Sequence, residues 1–333
     1  MDIDTTNAKD NLAVNIYSEN PAAVSKKKSP SLIKGSTGER IFDILNVSFM
    51  IILSFITIYP FWYVLVVSLS NGNDLANGPA WFWPRNFTLN NYIYVLQYKL
   101  LRSAFVVTIA RCLAGPVISV GVCMLAAYPL SKRWLPKRKW FLFFYMLPMF
   151  IGGTVISNYV VMAKLKLLNN FLVYIIPGAF GFFNMVIMRT FIEQIPIELE
   201  ESAMLDGANY WVIFTKIILP QSKPIMAAFA FFSVVHNWLD FTTTLLYVTK
   251  QSLYTLQYVL YLVVNASQAS NMIDITNIGE SMRRLKENQR AALPTPEVVK
   301  MTVMVVVTFP LLFVYPFFQK YFVVGMNLGA IKG

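Results

Sequence analysis

Six long apolar runs alternate with short polar stretches along the chain, at about residues 41–69, 103–130, 140–162, 171–191, 225–248 and 298–318. Roughly 20 apolar residues in a helix cross the ~30 Å hydrocarbon layer of a bilayer. Each run therefore predicts a transmembrane helix, and the fold class expected is all-α: a polytopic bundle of six spans without a sheet. The first run is long enough to tilt or to kink at Pro60. Pro148 and Gly152-Gly153 interrupt the third run, and Pro177, Gly178 and Gly181 the fourth. Such breaks suit helices that flex around a pathway, and they also occur in purely structural spans because neighbouring helices satisfy the freed backbone groups.

The polar stretches set the organisation. Residues 1–36 read as a disordered arm, with Lys26-Lys27-Lys28 near its end and no apolar run before them, so no cleavable signal peptide is expected. The membrane-spanning body is expected over 37–320, and 321–333 reads as a tail. Residues 71–99 form an outer loop rich in aromatics (Trp81-Phe82-Trp83-Pro84), which suits the headgroup boundary or, alternatively, sugar stacking. Residues 164–170 and 249–296 read as a short and a long outer segment. Between the second and third runs lie Lys132, Arg133, Lys137, Arg138 and Lys139 with no acid among them. Positive loops stay inside, so the arm, this loop, the 192–222 loop and both termini are expected on the cytoplasmic face.

The 198–220 stretch, ELEESAMLDGANYWVIFTKIILP, is the most informative. Pro196 at a first turn, followed by Glu198, Glu200 and Glu201 at the positive end of the dipole, predicts a short helix to Leu205. Gly207 permits a turn or a left-handed cap, and 210–219 predicts a second helix that stops near Pro220.

Composition agrees with the membrane reading. Of 333 residues, 56% are hydrophobic and 14% charged, against about 25% charged in soluble domains; mean hydropathy is +0.53. The formal charge of +11 sits mostly in loops beside apolar runs, so nucleic acid is not an expected partner. One His and two Cys leave little for a metal site. Cys112 and Cys123, eleven residues apart in one predicted helix, are separated by about 16 Å of rise and cannot bond to each other.

Some polar residues stand inside the runs. Arg111 fits either a pathway that contacts an anionic or hydroxyl-rich substrate, or a structural pairing with an acid or with helix carbonyls. His236-Asn237-Trp238-Leu239-Asp240, then Thr242-Thr243-Thr244 and Tyr247, place hydrogen-bonding groups in the fifth run. Asn237 and Asp240 share a face. Amides, carboxylates and indole rings suit sugars, and interhelical bonding fits equally. His236 alone reads as a core histidine.

Glu201-Ser202-Ala203, three residues, Gly207, nine residues, then Ile217-x-Leu219-Pro220 resembles the signature loop of the permease subunits of ATP-driven bacterial importers. That loop carries Glu-Ala-Ala, a Gly, and an Ile-x-Leu-Pro end; Ser202 replaces one small residue by another. Leu205-Asp206-Gly207-Ala208 resembles the carbohydrate-importer, MalG-like branch, and the resemblance covers about residue 37 to the end. It implies the type I importer permease fold in the bacterial cell membrane. It implies coupling through Glu200, Glu201, Ser202, Ala203, Asp206, Gly207 and Ala208, with a tail (Gly325, Gly329, Lys332, Gly333) that enters the ATPase dimer interface or simply frays. Asn237, Trp238, Asp240, Tyr247 and Arg111 become substrate-pathway candidates. The implied partners are a MalF-like second permease, two copies of an ATP-binding subunit, an extracellular solute-binding protein, a carbohydrate and the bilayer. No Gly-x-x-x-x-Gly-Lys-Ser/Thr occurs, so ATP and Mg belong to the ATPase and no cofactor is expected in this chain. An ion-gradient transporter wants inverted repeats and embedded acids, of which Asp240 alone is clear. A membrane enzyme would lack a catalytic set.

Overall fold

In the computed structural model, residues 37–75, 78–268 and 294–330 are described. All regular structure among them is helical. The chain divides into two compact units, Met1–Ile58 and Tyr59–Gly333. Helix α1, Thr37–Ser68, begins in the first unit and ends in the second, with Pro60 inside it. In the first unit Thr57 returns its hydroxyl to the Leu53 carbonyl at 2.8 Å, the back-bond that lets a polar side chain sit in an apolar helix.

The second unit continues with α2 (Gly72–Leu75), α3 (Asn90–Gln97) and α4 (Lys99–Ser131). Asn91 anchors α3 by donating to the carbonyls of Ser68 and Ser70, at 2.8 and 2.9 Å. Helix α4 is 33 residues long and carries Pro116 and Pro129. Its buried positions Leu101, Ala104, Thr108, Arg111, Cys112 and Gly115 recur at three- and four-residue spacing, as for one inward face. Around it follow α5 (Arg138–Phe150), α6 (Val155–Lys164), a 3₁₀ turn (Phe171–Tyr174), α7 (Phe182–Ile192), α8 (Glu198–Leu205) and α9 (Tyr210–Gln221). Then come α10 (Lys223–Leu239), α11 (Thr242–Tyr247), a 3₁₀ turn (Gln251–Leu253), α12 (Leu256–Gln268) and α13 (Pro296–Ala330). Helix α4 packs along α7 and α10, and α13 packs on α10 and α12.

Among the described residues three helices are long and apolar enough to cross a membrane, in α1, α4 and the first part of α13. The other expected spans are broken. The run at 140–162 is two helices, α5 and α6, bent by 117°. Gly152 and Gly153 lie in the break, and Thr154 caps α6 by accepting from the Ser157 N–H. The run at 171–191 is a 3₁₀ turn and the 11-residue α7, parted by the segment that holds Pro177 and Gly178. The run at 225–248 stops at Asp240, where ψ is 113°, and resumes as α11. The expected stop near Pro220 is also displaced. Helix α9 continues to Gln221 through a π-helical stretch, Phe214–Ile218, whose wider turns accommodate a proline ring that would crowd the carbonyl four residues back. The chain then bends by 73° into α10.

The expected outer segment 249–296 is partly core. Leu256, Val259, Leu260 and Val263 form a helical stripe that packs in one cluster with Ala104, Cys112, Trp238, Val303 and Val307. Its charged part, 269–293, lies outside the described residues, as do the arm, 1–36, and residues 331–333. The expected tail is helical in its described part, because α13 runs through Gly325 and Gly329 to Ala330.

Candidate functional site

Two polar constellations stand on α4, one at its C-terminal end and one in its middle. The first begins with α8. Its end is a Schellman motif: the Ala208 N–H reaches the Ala203 carbonyl at 2.9 Å and the Gly207 N–H the Met204 carbonyl at 3.0 Å. Gly207 takes φ +81°, the left-handed conformation that a residue without Cβ adopts freely. Asn209 then caps α9 by accepting from the Val212 N–H at 2.9 Å. Ala203, Ala208, Ile213, Phe214 and Ile218 turn inward onto Met124, Ala127 and Tyr128 of α4 and Met185 and Met188 of α7.

The outward side of this helix pair is apolar as well as acidic. Glu201, Ser202 and Asp206 are exposed, and Leu205 is 90% exposed. Tyr210 and Trp211 line a groove of about 410 Å³ with Tyr128, Lys132 and Trp134. Asp206 makes no side-chain hydrogen bond among the described residues; the backbone bonds of the Schellman motif hold the turn. Glu200 departs from the expectation of an outward contact. It is buried and paired with Lys132, because it lies on the side of α8 that faces the end of α4.

The second constellation gathers Arg111, Asn237 and Asp240. Arg111 is 2% exposed. Its Nε donates to Asn237 Oδ1 at 3.1 Å, one terminal nitrogen donates to the Asp240 carbonyl at 3.2 Å, and the other forms an ion pair with the Asp240 carboxylate. The Thr243 N–H donates to the remaining oxygen, Oδ1, at 3.2 Å. The guanidinium also lies 4.8 Å from the Tyr174 ring centre, in cation–π range. The Tyr174 hydroxyl donates to the Leu253 carbonyl at 2.7 Å and lies 3.0 Å from the Thr244 hydroxyl. Gly115 lets Asn237 approach α4: a Cβ there would fall 2.6 Å from its Nδ2.

These groups border a cavity of about 260 Å³ lined by Arg111, Gly115, Tyr174, Ser233, His236 and Thr243, among others. It sits where the chain breaks after the first 3₁₀ turn and again after α10. Broken helices beside a cavity are how irregular backbone is accommodated at membrane depth. Of the sequence candidates, Arg111 and Asn237 line this cavity, and Asp240 holds Arg111. Trp238 does not line it. It is buried and donates to the Val307 carbonyl of α13 at 3.0 Å, because the residue after Asn237 points about 100° further round α10. Tyr247 does not line it either and stacks on Tyr159, 6.2 Å between ring centres. His236, expected as a core residue, is exposed and borders the cavity. Gly325 and Gly329 lie in α13, and Lys332 and Gly333 lie outside the described residues. Sequence reasoning missed Tyr174, Ser233 and the role of Lys132; a tyrosine beside a Pro-Gly break was the available signal for the first. Among the described residues no group of His, Cys, Asp and Glu could hold a metal ion.

Comparison with known proteins agrees with the signature loop. The family described as binding-protein-dependent transport system inner membrane component matches residues 34–327. The chain is 36% identical over 294 residues to Protein LplC of Bacillus subtilis (strain 168), covering 88% of this chain and 96% of LplC. It is 32% identical to the polygalacturonan/rhamnogalacturonan transport system permease protein YtcP of the same organism, covering 88% and 99%. Among solved structures, a bacterial ABC transporter involved in the import of the acidic polysaccharide alginate matches with a TM-score of 0.77 and 27% identity, over 86% of this chain and 99% of that one.

Proposed function

Because the chain belongs to the inner membrane components of binding-protein-dependent transport systems, we propose that it forms half of a translocation pathway for an oligosaccharide. In this reading an extracellular binding protein delivers the cargo, a MalF-like permease supplies the other half, and two copies of an ATP-binding subunit drive transport. ATP and Mg sit on those subunits. The α8–α9 element engages the ATPase on the cytoplasmic side, where both termini also lie.

The observation that carries the reading is the shape of α8–α9. Its inner face is packed on α4 and α7, while Glu201, Leu205 and Trp211 stand outward. An acidic and apolar ridge on a rigid pair of short helices suits insertion into a cleft on another protein. A carbohydrate cargo is supported by two relatives, one named for polygalacturonan and rhamnogalacturonan and one for alginate. The hydroxyl, amide and imidazole groups around the Arg111 cavity can exchange hydrogen bonds with sugar hydroxyls. Arg111 is neutralised by Asp240, which leaves the ion-driven alternative without the free embedded acid it needs.

The test is substrate-stimulated ATP hydrolysis by the reconstituted complex with its binding protein, comparing wild type with Gly207→Pro combined with Glu201→Lys. Stimulation is expected to disappear while the membrane subunits still assemble. Unchanged stimulation refutes the coupling role of α8–α9.

A further inference from the structure

The acids of the α8 region divide by environment. Glu198, Glu201 and Asp206 are exposed, whereas Glu200 is 6% exposed. Both of its carboxylate oxygens receive the Lys132 ammonium. Lys132 is the residue that ends α4, its N–H bonded to the Pro129 carbonyl. Its ammonium lies 4.6 Å from the centre of the Tyr128 ring, one turn back on the same helix. The Tyr128 ring in turn packs at 5.3 Å on Phe214. A positive charge at this place also complements the negative end of the α4 dipole.

We propose that Lys132 and Glu200 are positioning residues that lock α8 to the end of α4, so that a displacement of the coupling element is delivered to α4 as a rigid movement. The proposal rests on the reading of α8–α9 as the element that engages the ATPase. The apolar contact alone does not perform this task. Ala203, Ala208 and Phe214 meet α4 through apolar side chains, and the hydrophobic term that holds them is non-directional. A buried ion pair adds little net stability, but it fixes register, because breaking it strands a charge away from water. Helix α4 continues through Pro129 and Pro116 to Arg111, 21 residues before Lys132, or about 31 Å along the axis. The coupling element and the Arg111–Asp240 cavity are thus fastened to one helix. The neighbouring pair Arg138–Glu193 is different: Glu193 is 32% exposed, and the pair joins α5 to the end of α7 rather than α8 to α4.

The experiment measures ATP hydrolysis and oligosaccharide uptake together, in proteoliposomes that contain the whole complex and its binding protein. Glu200→Gln and Lys132→Met are each expected to raise the ATP hydrolysed per oligosaccharide moved by on the order of tenfold, in the range of typical coupling free energies. The exchanged pair, Lys132→Glu with Glu200→Lys, is expected to restore part of the wild-type ratio, and Arg138→Gln to leave it unchanged. If Glu200→Gln weakens retention of the ATPase while Lys132→Met does not, Glu200 meets the ATPase and the proposal falls. It falls equally if the exchanged pair assembles but restores nothing. A second measurement covers variants that do not assemble. Cysteines at 132 and 200, joined by a short bismaleimide in the folded complex, should leave the ratio near wild type. If the crosslink abolishes uptake while hydrolysis continues, the two residues must part during transport and the proposal is wrong. Failure of the functional reading shows itself differently: the wild-type complex would then give no stimulated hydrolysis at all, and the proposal would fall with it.

Discussion

Asp240→Ala leaves the Arg111 guanidinium with two neutral acceptors, Asn237 Oδ1 and the carbonyl of residue 240, at 3.1 and 3.2 Å. The Thr243 N–H loses its acceptor at the same time. The two charged side chains are 3% and 12% exposed, so water does not readily take the place of the carboxylate. Removing one partner of a buried ion pair costs about 3–5 kcal/mol, most of it the stranded charge, whereas replacing both partners by apolar residues of similar size is often neutral. Arg111→Met with Asp240→Leu should therefore be more stable than Asp240→Ala alone, although it carries one more substitution. The lost Asn237 bond offsets some of that gain, by roughly 1 kcal/mol. The assay is the midpoint for loss of the monodisperse complex on heating in detergent, for wild type, each single variant and the double. The expected order is wild type, then double, then the singles. Residues that act independently give shifts that add, within about 0.5 kcal/mol. Additive shifts would refute the claim that Arg111 and Asp240 are held chiefly by each other.

Four further outcomes follow from particular contacts. Gly115→Val should destabilise by about 1–3 kcal/mol through overpacking, since its Cβ meets Asn237, which is only 7% exposed; the same heating series reads it. Gly207→Ala meets no atom within 4 Å, so its cost is the left-handed backbone alone, about 1–2 kcal/mol; stimulated hydrolysis should fall less than with Gly207→Pro. Asn169→Ala removes one oxygen that accepts from the Thr249 N–H, the Thr249 hydroxyl and the Lys250 N–H, at 2.6, 3.0 and 2.9 Å; amide exchange at 249–253 should accelerate, as followed by mass spectrometry. Cys112 and Cys123 are 8% and 0% exposed; a maleimide should label neither in the folded complex and both after denaturation.

The sequence disclosed most where a signal is local. Long uninterrupted apolar runs made α1, α4 and α13 legible, and the 198–220 pattern made the α8–α9 helix pair legible down to the left-handed glycine. Polar residues in apolar runs marked Arg111, Asn237 and Asp240, because burial of such groups demands a partner. That the partners are one another was not readable, since Arg111 and Asp240 are 129 residues apart. Glycine and proline marked where helices break, but not by how much. The turn between α5 and α6 is 117°. The stripe of α12 was hidden by the charged stretch after it, which made one segment from 249 to 296 look uniformly external.

Glu200 and Glu201 show the limit most sharply. Adjacent residues on a helix point about 100° apart, so one of two neighbouring glutamates can face the protein while the other faces out. Their chemistry is identical, and the resemblance to the signature loop places both near the ATPase. What separates them is Lys132, 68 residues earlier in the chain, in a loop whose positive charges read only as a marker of the inner face. One ammonium in that loop is withdrawn from solvent and spent on register, while Arg133, Lys137 and Lys139 remain exposed to mark the side. A topology signal and a mechanical contact thus occupy the same short loop. Charge counting sees the first, and only the burial of a particular carboxylate reveals the second.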